Sequence, residues 1–126
     1  MLVDDDQDIL DVLKRGIQLE SEKQEQQLQV DGFSSPKEVL KSFEPSVYDL
    51  AIIDIRMPGM NGFELCRELK AMDPAITICF LSAFEMHSDE FKKVFPSMTD
   101  SIKTIIQKPI TAQGLLNEIQ PFLKVS

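Results

Sequence analysis

The sequence predicts a doubly wound α/β domain in which a five-stranded parallel sheet is flanked by five helices. Segments with the composition of buried strands alternate along the chain with segments that have the periodicity of amphipathic helices. The central strand-like segments are continuous apolar runs, which is typical of strands covered on both faces. Because parallel strands need right-handed crossover connections, this alternation places helices on both sides of one sheet.

The size and composition of the chain indicate a single soluble domain spanning residues 1–126, with 43% hydrophobic and 27% charged residues. No apolar run is long enough to cross a membrane and no signal peptide is evident, so the expected location is cytoplasmic, without membrane contact. The formal charge of −8 disfavours direct binding of nucleic acid. Cys66 and Cys79 lack metal-ligand spacing and are expected to be reduced core thiols.

The first strand and helix are predicted near the start of the chain. Residues 1–3 form a very short strand, and a helical pattern begins at Gln7. The helical pattern ends within the polar residues 22–27, which are expected to form a solvated helix end and a loop. The apolar half of this helix is expected to face the core and comprises Ile9, Leu10, Val12, Leu13, Ile17 and Leu19.

The second strand is predicted over residues 28–33. Ser34 and Ser35 then offer hydroxyl caps, and Pro36 stands at or near the first position of a helix that runs to about Phe43. The third strand, residues 50–55, is an apolar run that is interrupted only by Asp54, near its carboxyl end.

The second half of the chain continues the alternation. A loop over residues 57–62 precedes a helix over residues 63–72 and a strand over residues 75–81. A fourth helix is predicted over residues 85–95 and a fifth strand over residues 102–106. The last helix is marked by an apolar stripe of Leu115, Leu116, Ile119, Phe122 and Leu123.

Polar residues stand at the carboxyl ends of four of the five predicted strands. Asp4 and Asp5 follow the first strand, Asp54 ends the third, Ser82 follows the fourth and Lys108 follows the fifth. In a doubly wound sheet these strand ends meet at one edge, where ligands bind. We therefore expect the five side chains to converge in one crevice.

The converging groups favour the chemistry of phosphoryl transfer. Three clustered carboxylates repel one another unless a cation is present, and Mg²⁺ prefers a few carboxylates together with waters and a phosphate oxygen. An ammonium group such as Lys108 and a hydroxyl such as Ser82 can neutralise phosphoryl oxygens, which leaves Asp54 as the nucleophile. Each residue taken alone is equally typical of a helix cap, a turn or a solvated surface, and it is their combination that favours a site.

Four segments of the sequence closely resemble the receiver domain of two-component response regulators, in the same order along essentially the whole chain. They are LVDDDQDIL (2–10), DIRMPGMNGFEL (54–65), FLSA (80–83) and QKPI (107–110). The resemblance implies a flavodoxin-like strand order. It also implies a phosphoprotein of phosphorelay signal transduction, in which a histidine kinase or phosphotransfer protein phosphorylates Asp54.

The resemblance further assigns roles to individual residues. Mg²⁺ would be held by Asp5, by Asp54 and by the backbone carbonyl of Arg56, with Asp4 acting through ordered water. Ser82 and Lys108 would bind the phosphoryl oxygens, and Pro109 would follow a cis peptide bond. Phosphorylation would switch a surface formed by the fourth predicted helix, the fifth strand and the last helix, and so control an effector protein or domain, or a homodimer.

Three features of the sequence depart from the family pattern. Ile105 occupies the position of an aromatic switch residue, and the segment between Ser82 and Lys108 is longer than usual. Phe84 stands where many relatives have a polar residue. Because Phe84 and Arg56 are both poor acceptors for an attacking water, we expect an acyl phosphate on Asp54 to hydrolyse slowly.

Two other functions remain alternatives at this point. One is a Mg²⁺-dependent aspartyl phosphohydrolase of haloacid-dehalogenase type, although Arg56 stands where that family needs an acid two residues after the nucleophile. The other is a phosphate-independent interaction module that keeps the fold but has lost the switch. The presence of all five site residues disfavours the second alternative.

Overall fold

The computed structural model describes residues 1–26, 28–83 and 102–123. Its strands are β1 (Leu2–Val3), β2 (Gly32–Phe33), β3 (Leu50–Asp54), β4 (Thr77–Ser82) and β5 (Ile102–Gln107). All neighbouring strands pair in parallel, in the order β2-β1-β3-β4-β5. The predicted doubly wound fold is therefore confirmed.

Four α-helices lie within the described residues: α1 (Gln7–Lys23), α2 (Pro36–Ser42), α3 (Gly62–Met72) and α4 (Ala112–Ile119). A short 3-10 helix, Gln120–Phe122, continues α4. The fourth helix that the sequence predicts, over residues 85–95, lies outside the described residues. No helix in the described ranges is both long and apolar enough to span a membrane.

The helix starts are set by short polar side chains that accept hydrogen bonds from free backbone N–H groups. Asp6 caps α1, and the Ser35 hydroxyl caps α2 with Pro36 directly behind it, as the sequence predicts. At the start of α3, Asn61 and Glu64 form a reciprocal capping box. Each cap fixes where the chain leaves a strand-end loop, and so fixes the shape of that edge of the sheet.

The sheet separates two hydrophobic cores, because successive residues of each strand point to opposite faces. Val3, Ile53 and Phe80 face the core beneath α2 and α3, whereas Leu2, Ile52 and Leu81 face the core beneath α1 and α4. The two cysteines are divided between these cores, and burial raises the pKa of Cys66 to about 11 and that of Cys79 to about 12. Both thiols are free and protonated at neutral pH.

The structure corrects the predicted inner face of α1. Leu10, Leu13 and Ile17 are buried, but the side chains of Val12 and Leu19 are 68% and 52% exposed. A helix packed on a sheet and on one neighbouring helix buries a stripe, and residues at the border of the apolar half lie outside it.

The second strand is also shorter than predicted. Only Gly32–Phe33 pairs with β1, although the sequence predicts a strand over residues 28–33. The residue before this pair, Asp31, contributes a single backbone bond, in which its carbonyl accepts from Leu2 N at 2.9 Å. Leu28 and Val30 still pack against the core beneath α1 and α4, so their apolar character reflects packing rather than strand pairing.

Candidate functional site

Three carboxylates meet at the carboxyl ends of β1 and β3. Asp4 and Asp5 follow β1, and Asp54 is the last residue of the neighbouring β3. One oxygen from each of the three carboxylates lies within 4.8 Å of the others. Asp4 and Asp54 are buried and Asp5 is exposed, so the cluster opens to solvent on the side of Asp5.

Lys108 brings a positive charge to this cluster from the loop after β5. Its ammonium nitrogen Nζ donates a hydrogen bond to Asp4 Oδ2 at 2.7 Å and lies 3.5 Å from Asp54 Oδ1. The backbone of the same residue is fixed as well, since Lys108 N donates to the carbonyl of Ser82 at 2.7 Å. The peptide bond between Lys108 and Pro109 is cis, the isomer that the resemblance implies.

Ser82 is the last residue of β4 and is 3% exposed. It pairs in register with Gln107, the last residue of β5, and its carbonyl accepts from the backbone N–H of the next residue, Lys108. The register of the sheet therefore brings the hydroxyl-bearing residue and the ammonium-bearing residue to the same edge as the carboxylates.

The carboxyl of Asp4 is held in place on both of its oxygens. Asp4 Oδ1 accepts from the backbone N–H of Asp6 at 2.9 Å, while Oδ2 accepts from Lys108. Because Asp6 also caps α1, the end of β1, the start of α1 and the loop after β5 are joined through one side chain. Two charge-assisted hydrogen bonds make this carboxylate a rigid part of the site.

The surroundings of Asp54 oppose its ionisation. Burial raises the pKa of Asp54 to about 6 despite the nearby charge of Lys108, and the negative charges of Asp4 and Asp5 act in the same direction as burial. Burial on its own would lower the pKa of Lys108, but its hydrogen bond to Asp4 and the charges of Asp4 and Asp54 raise it above the usual value. At neutral pH the site thus holds one firmly protonated lysine and an excess of negative charge.

Arg56 is exposed in the loop that follows β3. The residue before it, Ile55, is fixed by its backbone on both sides: Ile55 N donates to Leu81 O at 3.0 Å, and Ile55 O accepts from Gly62 N at 2.8 Å. The chain between Asp54 and Arg56 is therefore tied to both β4 and the start of α3.

Two departures from the family pattern concern the switch: Ile105, which stands in place of an aromatic residue, and Phe84. Ile105 is half-buried, pairs in register with Phe80 and packs against the core beneath α2 and α3. Phe84 lies outside the described residues. Its predicted effects on the switch and on the lifetime of the phosphoryl group stay predictions.

Two features of this edge were missed by the sequence reasoning. An apolar groove opens beside Lys108 and is lined by Ile9, Val12, Leu13, Ala83, Pro109 and Ile110, with Asp8 at its margin. In addition, Gly62 packs directly against the backbone of Asp54. The glycine that ends the D-x-x-M-P-x-x-x-G pattern is a sequence signal for the second feature, whereas the groove depends on the juxtaposition of α1 with the loop after β5.

The arrangement is suited to holding a divalent cation and a phosphoryl group together. The three carboxylates lie close enough together to bind one cation through their oxygens. The Lys108 ammonium group, beside the buried Asp4, can neutralise the charge of a phosphoryl group that approaches Asp54.

Comparisons with known proteins bear on the family of the chain. The family model of the response regulator receiver domain matches residues 1–120. The heme response regulator HssR of Staphylococcus epidermidis is 36% identical over 124 residues, covering 98% of this chain and 50% of that protein. HssR of Staphylococcus aureus is 34% identical over 126 residues, with the same coverage. The chain thus spans about half the length of the curated relatives it matches.

Solved structures of receiver domains have the same fold. A CheY-like receiver domain protein from Methanospirillum hungatei aligns with a TM-score of 0.76 and 26% identity, over 95% of this chain and 88% of the other. The response regulator TrrA from Thermotoga maritima, solved in complex with Mg²⁺-BeF, aligns with a TM-score of 0.70 and 26% identity, over 97% and 96%. The non-phosphorylated HemR receiver domain from Leptospira biflexa aligns with a TM-score of 0.78 and 22% identity, over 99% and 93%, and shows the fold alone. Because the family model covers nearly all of the sequence, the chain belongs to the response regulator receiver domain family.

Proposed function

We propose that Asp54 accepts a phosphoryl group from a histidine kinase or phosphotransfer protein, with Mg²⁺ as the cofactor. The observation that carries the proposal is the position of the Lys108 ammonium group, 2.7 Å from Asp4 and 3.5 Å from Asp54, in a cluster with three carboxylates. A phosphoryl group attached to Asp54 would lie beside this ammonium group and beside the cation ligands.

The donor set fits Mg²⁺. Asp5, Asp54 and the backbone carbonyl of Arg56 would be direct ligands, and Asp4 would act through an ordered water. Mg²⁺ accepts a few carboxylates together with waters. Burial and the charges of Asp4 and Asp5 raise the pKa of Asp54 to about 6 against the charge of Lys108, and a bound cation would favour the ionised carboxylate. When bound, Mg²⁺ neutralises charge on the carboxylates and on the transferred phosphoryl oxygens.

The chain's own residues would carry out the transfer. A carboxylate oxygen of Asp54 attacks the phosphorus of a phosphohistidine, the P–N bond breaks, and the imidazole leaves with the electron pair and takes up a proton. The product is an acyl phosphate on Asp54. Lys108 and Ser82 would bind the phosphoryl oxygens. The Lys108 ammonium group would then donate hydrogen bonds both to the phosphoryl group and to Asp4.

A single mass spectrum separates this proposal from its alternatives. After incubation with acetyl phosphate and Mg²⁺, the wild-type domain should carry one stable phosphoryl adduct, and Asp54→Asn should carry none because the amide is not a nucleophile. Rapid release of phosphate without an adduct would indicate a phosphohydrolase. Absence of both reactions would indicate a phosphate-independent module.

The apolar groove beside Lys108 is proposed as part of the surface that receives the donor protein. A donor that delivers a phosphohistidine to Asp54 must cover the rim of the site, and the groove is directly continuous with that rim through Lys108 and Pro109. Val12 lines it with a 68% exposed side chain, so an apolar partner surface could bury it.

Matched charge substitutions on α1 test this surface. Val12→Glu should slow phosphotransfer from a donor protein about tenfold or more, because it places a charge in a contact that must be desolvated. It should leave phosphorylation by acetyl phosphate unchanged. Leu19→Glu adds the same charge on the same helix outside the groove, where Leu19 is 52% exposed, and should leave both reactions unchanged. Equal slowing by the two variants would remove the groove from the donor surface.

The output is proposed to be a surface formed by residues 85–95, β5 and α4. Phosphorylation would draw Ser82 toward the phosphoryl group and bias this surface toward a state that binds an effector or a second copy of the domain. Ile105 carries no ring to report the switch, so the segment that begins at Phe84 is expected to move instead. Unchanged amide exchange over residues 83–101 on phosphorylation would rule this out.

A further inference from the structure

We infer that Gly62 is a positioning residue for the phosphoryl-transfer site: its lack of a side chain lets the start of α3 press against the backbone that carries Asp54 and Arg56. The inference rests on the proposed function, since it concerns the geometry of the proposed Mg²⁺ ligands.

Space rather than backbone conformation is what requires a glycine here. Gly62 is the first residue of α3, where the helical backbone suits any residue, and alanine is ordinarily better than glycine in a helix. A Cβ at this position, however, would lie 2.5 Å from the carbonyl oxygen of Asp54, 2.9 Å from the Cα of Ile55 and 3.1 Å from the carbonyl carbon of Asp54. All three are backbone atoms, so no side-chain rotation could relieve the overlap.

The contact acts on the peptide groups between two proposed ligands. Gly62 N donates to Ile55 O at 2.8 Å, and Ile55 N donates to Leu81 O at 3.0 Å. Ile55 is thereby held between α3 and β4, with Asp54 on one side of it in sequence and Arg56 on the other. A shift at residue 62 would move the Asp54 carboxylate relative to Asp5, and would also turn the Arg56 carbonyl.

The start of α3 is held by hydrogen bonds and by packing, which oppose a displacement there. Asn61 Oδ1 accepts from Glu64 N at 2.9 Å, and the Glu64 side chain accepts from Asn61 N at 3.3 Å. Phe63 and Leu65, which follow Gly62 in α3, are buried in the core beneath the helix. An added methyl group must therefore push on β3 and the loop after it, which are the parts that hold the site.

The test compares two glycine-to-alanine variants that both introduce an overlap. Gly62→Ala should weaken Mg²⁺ binding, followed by amide shifts in an NMR titration, by about tenfold, and should slow phosphorylation by acetyl phosphate at least as much. It should also speed amide exchange at Ile55. Gly16→Ala, in which the new methyl group meets the Ala112 side chain on α4 rather than the backbone of Asp54, should lose stability but keep Mg²⁺ affinity and Ile55 exchange within about twofold of wild type.

The outcomes separate the role of Gly62 from the proposed function. If Gly62→Ala binds Mg²⁺ as wild type does, or if the two variants lose affinity in parallel, Gly62 has only a structural role. If wild type itself neither binds Mg²⁺ nor takes up phosphate, the proposed function fails, while exchange at Ile55 still decides whether Gly62 holds this backbone. Should Gly62→Ala not fold, the wild-type Gly62 amide gives the answer: its exchange should slow severalfold when Mg²⁺ binds, and unchanged exchange would overturn the inference.

Discussion

Asp54 is ionised at neutral pH against the preference of its surroundings. Burial and the charges of Asp4 and Asp5 raise its pKa to about 6 against the opposing charge of Lys108, whereas an unfolded chain has the ordinary value of 3.8. The folded state therefore binds this proton more tightly, so this group's contribution to stability is lost as the pH rises from about 4 to about 6. Without divalent cations, we expect Asp54→Asn to be more stable than wild type at pH 7 by roughly 1 to 3 kcal/mol.

Urea unfolding at pH 7 and at pH 4.5 measures this difference. The advantage of Asp54→Asn should shrink at the lower pH, where the wild-type carboxyl is protonated in the folded state. Asp11→Asn, an exposed carboxylate on α1, is the control and should change stability little at either pH. An Asp54→Asn advantage of the same size at both pH values would show that ionisation of Asp54 is not its source.

The lifetime of the acyl phosphate is a second property set by single residues. Hydrolysis needs a water in line behind the phosphorus, and the arginine side chain at position 56 offers donors but no acceptor for that water. We expect Arg56→Asn or Phe84→Glu to speed loss of the phosphoryl group about tenfold, or about 1.4 kcal/mol of barrier. The decay is followed after the donor is removed with Mg²⁺ retained. Unchanged lifetimes in both variants would mean that other groups place the water.

The sequence predicts the residues of the candidate site better than the contacts among them. Asp4, Asp54 and Lys108 each follow or end a parallel strand, and topology alone brings such positions to one edge. That Lys108 lies closer to Asp4 than to Asp54 depends on differences of less than 1 Å between side-chain atoms. No pattern of residue types encodes distances of that size.

At the scale of elements, α1 and α4 approach each other through a small residue on each. A Cβ added at Gly16 would overlap the Cβ of Ala112, the first residue of α4. We expect Gly16→Ala to destabilise the domain by about 1 to 3 kcal/mol, even though alanine favours a helix, because the helices must move apart. Denaturant unfolding gives the value.

A double-mutant cycle tests whether this contact is the cause. Adding Ala112→Gly to Gly16→Ala removes the opposing methyl group, so the double variant should recover part of the lost stability beyond additivity. Ala112→Gly alone should be mildly destabilising. Strict additivity of the two substitutions would place the source of the destabilisation elsewhere.

The errors in element prediction come from tertiary packing. Val12 and Leu19 belong to the apolar half of α1 in sequence, yet the helix buries only the stripe that includes Leu10, Leu13 and Ile17. Residues 28–31 have the composition of a strand, but only Gly32–Phe33 pairs with β1, and Leu28 and Val30 are covered by packing against the core beneath α1 and α4. Periodicity reports which residues are apolar, whereas the neighbouring elements decide which of them are covered.

For the whole molecule, the site exists only when the fold is complete. Asp4 and Lys108, which form an ion pair at 2.7 Å, are 104 positions apart in the sequence. Two of the three carboxylates follow β1 and the third ends β3, strands that are far apart in the sequence. The unfolded chain therefore has no comparable cation site. Ligands of the site should therefore stabilise the entire domain.

Magnesium binding provides the direct test of this coupling. With Mg²⁺ at about ten times its dissociation constant, we expect a gain of about 1.4 kcal/mol in unfolding free energy and a rise in Tm of roughly 3 to 6 °C. The gain should be larger at pH 7 than at pH 5, because protonation of Asp54 removes a ligand charge.

A chain with a formal charge of −8 also gains from general screening by any salt. Asp5→Asn separates the two effects: Asp5 is exposed, so the variant should fold normally, respond to ionic strength as wild type does, and lose the additional gain from Mg²⁺. If Mg²⁺ raises its Tm as much as that of wild type, the cation acts through screening and the acidic cluster does not hold it.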